Sequence, residues 1–235
     1  MKKATIEEIR RRFDVDVERF SNLDTGQIST IDAKISLELI TEAAKRIVPK
    51  AVNLLDVGCG AGNYTLMMLS KMPNLSCTLV DLSKPMLDKA FERVSKQAKS
   101  EINVIQSDIR TVKLKENHFD IILSGAVLHH LRDDKDWENA FNKLYKVLNP
   151  GGCLMISDLI TQDNELLTEY TFERYAGYLE EVGGKKYSQK VLDYVAKEDT
   201  PRSMNYQLAL MKKIGFRSVE ILHKNMCFGI FGAIK

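Results

Sequence analysis

At 235 residues, with 44% hydrophobic and 28% charged side chains, the chain has core enough for one large or two small globular domains, which excludes disorder. A net charge of +2 gives no global field for gripping nucleic acid, and the basic runs at residues 10–12, 185–186 and 212–213 are short enough to be solvated faces. The four cysteines are scattered without a C-x-x-C pair, so neither a zinc site nor a disulfide framework is suggested and no metal is expected.

In chain order, Thr5 with Glu8 three residues on forms a capping box, and Ile6, Ile9, Phe13, Val17 and Phe20 repeat at helical spacing. One amphipathic N-terminal helix is predicted. After a polar break at 21–26, a second helical pattern through Ile31, Ile35, Leu39, Ala43 and Ile47 stops before Pro49. The rhythm then changes. Apolar or β-branched runs at 53–57, 77–80, 102–106, 119–123 and 153–157 alternate with helical patterns, which argues for a doubly wound α/β fold with a mostly parallel sheet. Residues 159–215 depart from that rhythm, being helical and rich in tyrosine (Tyr170, Tyr175, Tyr178, Tyr187, Tyr194), and are read as a helical insert over the sheet. Two closing runs at 217–223 and 226–234 are joined by a turn too short for a parallel crossover, so an antiparallel hairpin completes a seven-stranded sheet.

These elements predict a single domain over 1–235, with an N-terminal helical cap (1–50), a ligand-binding core (51–158), the insert (159–215) and the closing hairpin (216–235). No apolar run approaches the roughly 18 residues of a membrane span, and residues 1–3 lead into Glu7 and Glu8, unlike a signal peptide. A cytoplasmic protein without a membrane partner is expected.

The run Asp56, Val57, Gly58, Cys59, Gly60, Ala61, Gly62 ends the first strand in an acid and three alternating glycines. Glycines so spaced let the backbone turn sharply between strand and helix and let a ligand lie against the main chain. A carboxylate just before the loop would repel a pyrophosphate, whereas it suits the ammonium and sulfonium charges of S-adenosylmethionine (SAM). The third glycine of a dinucleotide G-x-G-x-x-G loop would stand at 63, which is Asn63, so a nicotinamide cofactor is disfavoured. Asp81 ends the second strand about 20 residues on, where an acid can accept both ribose hydroxyls. Its alternative reading, as a helix cap, is weakened by Ser83 and by Lys84-Pro85, which already open the next helix. Asp108, after the third strand, places a third acid at the same edge.

With these residues in place the chain resembles the class I SAM-dependent methyltransferases. The resemblance rests on Asp56 with Gly58, Gly60 and Gly62, then Asp81, then Asp108, then residues 119–122 opening the fourth strand and 148–152 leading into the fifth. It implies that Asp56 and the loop, Cys59 included, hold the methionyl part, and that Asp81 holds the ribose. Leu82 and Met86 would flank the adenine, Asp108 and Ile109 would meet its edge, and Ser124-Gly125 would lie beside the sulfonium. The implied activity is methyl transfer from SAM to a small-molecule acceptor.

No catalytic residue is assigned, because displacement at an activated sulfonium needs alignment first and a base only when the nucleophile must lose a proton. His129-His130 is the obvious candidate base, yet in this family such a pair is usually structural; Asp158 ends the fifth strand nearby. The last third, with Tyr187-Ser188-Gln189-Lys190 and residues 227–232, is also similar to the carboxy-SAM synthase of tRNA wobble-uridine modification. In that synthase an arginine after S-Q-K clamps the extra carboxylate, and here Val191 stands there. Ordinary SAM is therefore the expectation. Wobble-uridine chemistry on tRNA and a non-catalytic SAM-binding module are the alternatives.

Overall fold

The fold was described from a computed structural model covering residues 3–22 and 27–235. Strands β1 (Asn53–Val57), β2 (Ser76–Asp81), β3 (Ile102–Gln106), β4 (Phe119–Gly125), β5 (Leu148–Leu159), β6 (Ser218–Asn225) and β7 (Phe228–Ile234) form one sheet in the order β3-β2-β1-β4-β5-β7-β6. All neighbours run parallel except β7, which is antiparallel to both β5 and β6, as the short closing turn requires. Asp120 ties the strand starts together: its carboxylate accepts from Val52 N, Asn53 N and the Asn149 side chain.

Side chains alternate across a strand, and both faces here are apolar because both are covered. Leu54, Leu79, Leu123 and Met155 face helices α3 (Ala33–Ile47), α4 (Asn63–Lys71) and α5 (Lys84–Val94). On the other face Leu55, Ile122, Leu154 and Phe231 meet Trp137, Phe141 and Leu144 of α6 (Asp134–Val147) and Met211 of α8 (Met204–Ile214). The stretch read from sequence as one insert thus has two parts. Helix α8 packs on the sheet core beside α6, whereas α7 (Glu165–Glu198) stands over the carboxyl edge. Gly184 breaks α7 (φ 78°, ψ 172°), and its second arm folds back so that Ser188 Oγ donates to Ala176 O at 3.0 Å.

The N-terminal pattern also divides. Asp16 leaves helical geometry (φ −100°, ψ 10°) and its carboxylate takes Arg19 instead, so the segment forms α1 (Ile6–Val15) and α2 (Val17–Ser21). The Thr5–Glu8 capping box is present. Of the polar break at 21–26, residues 23–26 lie outside the described residues.

Candidate functional site

Between β1 and β4 the strand order reverses, and such a switch point opens a crevice beyond the carboxyl ends. The glycine loop enters it directly. Gly58 (φ +65°) and Cys59 both donate backbone N–H to Val80 O, at 2.7 and 3.0 Å, so the loop folds over the end of β2. There Asp81 accepts from Gly60 N and from Ser83 N, each at 2.8 Å. Burial raises the Asp81 carboxyl above its ordinary range, against the pull of these backbone donors. Ser83 caps α5 through Met86 N and donates its hydroxyl to Asp14 Oδ1 of α1 at 2.6 Å.

A cavity lies over this loop. Gly58, Cys59, Gly60, Asp81, Leu82, Met86, Asp108, Ile109 and Gly125 are on its wall, and Ile9, Phe13 and Phe20 of the N-terminal helices close it. Asp108 lies there already engaged by Arg110 through its backbone N–H and guanidinium; burial opposes its ionisation, but these donors hold it below the ordinary carboxylate range. Gly125 has no Cβ because the Tyr64 ring occupies that space, 2.2 Å from where one would stand.

Three of the site residues expected from sequence are off the wall. Asp56 shares the strand face of Leu54, beneath the loop; one carboxylate oxygen accepts from Thr65 Oγ1 at 2.6 Å and the other has no hydrogen-bond partner among the described residues. Burial pushes its pKa up to about 7. Gly62 starts α4 (φ +83°) against Ala90 and Val94, and the buried Ser124 hydroxyl has no hydrogen-bond partner among the described residues. Asn63 ties the loop to its surroundings, donating to Phe20 O at 3.0 Å and accepting from Arg93 at 2.8 Å. The wall suits SAM. It offers main chain at Gly58 and Gly60, the acids Asp81 and Asp108, and apolar Leu82, Met86 and Ile109.

A second cavity adjoins the first, and Phe13, Phe20, Thr30, Ala126 and His130 line both. Its far wall is α7, with Tyr175, Tyr187, Lys190, Val191 and Tyr194, and its near wall carries Arg12, Asp158, His129 and Asp199. His129 and His130 end the turn Leu128–His130 after β4. His129 Nδ1 is hydrogen-bonded to Asp158 Oδ1, its backbone N–H donates to Asp158 Oδ2 at 3.2 Å, and its Nε2 lies 3.8 Å from Asp199 Oδ1. Burial disfavours the charged ring, but Asp158 and Asp199 outweigh it and raise the His129 pKa to about 9.

His130 differs. Its Nδ1 is 3.1 Å from Asp199 Oδ1 but off the hydrogen-bonding direction, and neither ring nitrogen makes a hydrogen bond among the described residues. Burial and then the charge of His129 push its pKa down. Arg12 closes the cluster through Glu198 Oε2 at 2.7 Å. Sequence reasoning reached His129, His130, Asp158 and the tyrosines but missed Asp199, Glu198 and Arg12. Arg12 and Glu198 stand 186 residues apart and neither carries a local motif, so no sequence signal joins them.

A family model described as "Methyltransferase domain" matches residues 54–152. The carboxy-S-adenosyl-L-methionine synthase of Vibrio atlanticus is 31% identical over 202 residues, spanning 82% of this chain and 80% of that protein. Among solved structures, a Burkholderia thailandensis 1,6-didemethyltoxoflavin-N1-methyltransferase with bound 1,6-didemethyltoxoflavin and S-adenosylhomocysteine superposes with a TM-score of 0.66 at 15% identity, over 100% of this chain and 92% of that one. Human N-acetylserotonin methyltransferase in complex with SAM gives 0.59 at 18% identity, covering 88% of this chain and 53% of the human one. At such identities these two likenesses concern the fold.

Proposed function

The chain belongs to the class I SAM-dependent methyltransferases, and we propose that it transfers the methyl group of SAM, held in the first cavity, to a small acceptor held in the second. The observation that carries this reading is the shared wall, where Phe13, Ala126 and His130 border both spaces. Bound SAM supplies a methyl group already activated on a sulfonium, so the chain's own task is alignment and exclusion of water.

Asp81 accepts the ribose hydroxyls while its bonds to Gly60 N and Ser83 N keep it in place. Leu82, Met86 and Ile109 flank the base, and Asp108, oriented by Arg110, faces its edge. Asp56 acts from beneath the loop, Gly125 lies on the wall of the first cavity, and Ala126 beside it lines both. Helices α1 and α2 are the lid, fixed to the cofactor wall by Asp14–Ser83 and Asn63–Phe20 and to α7 by Arg12–Glu198. A small acceptor agrees with a cavity walled by α1, α2, α7 and the strand ends, and with the didemethyltoxoflavin bound to the Burkholderia neighbour.

The test is turnover. The protein is incubated with SAM and fractionated metabolite extract, and release of S-adenosylhomocysteine is expected together with a product one methyl group heavier than its precursor. Binding of SAM without release by any fraction would instead make the chain a non-catalytic SAM-binding module.

The likeness to carboxy-SAM synthases supports a second reading, carboxymethyl chemistry in tRNA modification. Val191 speaks against it, since an apolar side chain faces the second cavity where a carboxylate clamp would need a guanidinium. Mass spectrometry of nucleosides released on denaturation separates the two, because carboxy-SAM is heavier than SAM by a carboxyl group.

A further inference from the structure

His129, His130 and Asp199 are brought to one side of the second cavity by a turn after β4 and by the residue that follows α7. One atom of each, an imidazole nitrogen from either histidine and a carboxylate oxygen, lies within 4.8 Å of the others. Asp199 Oδ1 is 3.1 Å from His130 Nδ1 and 3.8 Å from His129 Nε2. Ligands held at about 2.1 Å from an ion, at angles between octahedral and tetrahedral, stand roughly 3.0 to 3.4 Å apart, so the Asp199–His130 side already fits, the Asp199–His129 side must contract by a few tenths of an ångström, and the two imidazole nitrogens must close from within 4.8 Å by a turn of their rings.

Three features distinguish this cluster from a buried ion-pair network. First, neither ring nitrogen of His130 makes a hydrogen bond among the described residues, which leaves Nδ1 free to ligate. Second, Asp158 holds His129 Nδ1, which turns Nε2 toward Asp199; a carboxylate on the outer nitrogen is the usual support of a metal-binding imidazole. Third, Arg12, the guanidinium nearest the cluster on that wall, is paired with Glu198 at 2.7 Å, which reduces its opposition to a cation there.

We infer that His129, His130 and Asp199 bind a divalent transition-metal ion at the wall of the second cavity, with its remaining positions open to that cavity. Two imidazoles and one carboxylate suit zinc, iron, cobalt or nickel and do not suit magnesium or calcium, which prefer oxygen. This departs from the expectation of no metal, which rested on the cysteines. An ion there would bind and polarise an oxygen or nitrogen of the acceptor. That use rests on the methyl-transfer reading; the binding of the ion does not.

The test uses the full chain without an affinity tag, stripped with a chelator, reloaded with Zn2+ and freed of excess by gel filtration. Elemental analysis is expected to find about one zinc per chain, and His130→Ala or Asp199→Asn to abolish its retention. Asp158→Asn should weaken Zn2+ binding by about 10- to 100-fold. A cooperative melting transition and an unchanged circular dichroism spectrum in each variant are expected and show that the fold persists. If a variant fails to fold, Co2+ titration of the unaltered chain decides: the absorption of a nitrogen and oxygen site, displaced by Zn2+, is expected. Absence of stoichiometric metal in the reloaded chain, full retention in folded His130→Ala and Asp199→Asn, or a thiolate charge-transfer band with Co2+ would each overturn the inference.

Discussion

The two cavities meet at one edge of the sheet but are built differently. The first is local work. Its loop, its acids and its floor come from strand ends and the turns that follow them, and its hydrogen bonds run mostly from backbone N–H to carboxylate, as from Gly60 and Ser83 to Asp81. The second is assembled from afar. Arg12 meets Glu198, Ala4 N–H donates to Lys197 O at 2.9 Å, and Arg132 donates to Glu198 O and Ala4 O at 2.6 and 2.8 Å. A wall made of backbone and short turns has one conformation, whereas a wall of long side chains on α1 and α7 opens by releasing a few contacts. On the methyl-transfer reading, cofactor recognition falls to the locally built half and acceptor recognition to the half assembled from afar.

The largest expected effect attacks the rigid half. In Gly58→Ala a Cβ would meet Val127 Cγ2 at 2.1 Å on a backbone of positive φ, and overpacking with left-handed strain should cost about 2 to 5 kcal/mol, read from denaturant unfolding. Val127→Ala in the same chain should return part of it; no return would mean that the strain lies in the backbone alone. The mobile half comes next. Arg12→Met leaves Glu198, whose side chain is 6% exposed, buried without its partner, a loss of about 3 kcal/mol. Hydrogen exchange should rise in α1 and not in β1, and Glu198→Gln should reverse it. Equal acceleration in β1 would erase the distinction between the halves.

A smaller effect concerns Asp81→Ala, which should weaken S-adenosylhomocysteine binding by about 1.5 to 3 kcal/mol, or roughly 10- to 150-fold, in calorimetric titration. Unchanged affinity would move the ribose elsewhere. An effect read from pH and not from ligand concerns Asp56, whose pKa is raised by burial from 3.8 to about 7 on folding. The folded chain then holds a proton that the unfolded chain has lost, so this residue makes stability fall as pH rises from about 4 to 7, by at most about 1.4 kcal/mol per pH unit. Asp56→Asn should flatten that slope in unfolding experiments across the window; an unchanged slope would assign it to other groups.

Sequence alone determined the rigid half. Sequence pattern placed β1 and β3 to the residue, β1 as a covered apolar run and β3 as an edge strand rich in β-branched residues, and the spacing of Asp56, Gly58, Gly60, Asp81 and Asp108 follows from the strand-turn-helix rhythm. Even there, the face on which a side chain lands depended on the pleat: Asp56 went beneath the loop because it alternates with Leu55 and Val57. Within residues 159–215, Gly183-Gly184 and Pro201 mark the breaks, but the different packing of the pieces was not legible, because α7 and α8 are both helical in pattern and differ only in what they pack against. The charged cluster of the second cavity was decided by tertiary structure. Arg12, His130, Asp158 and Asp199 belong to four separate elements, and nothing local to any of them encodes a partner up to 186 residues away; only closure of α1 and α7 over the sheet edge puts their charges in one place.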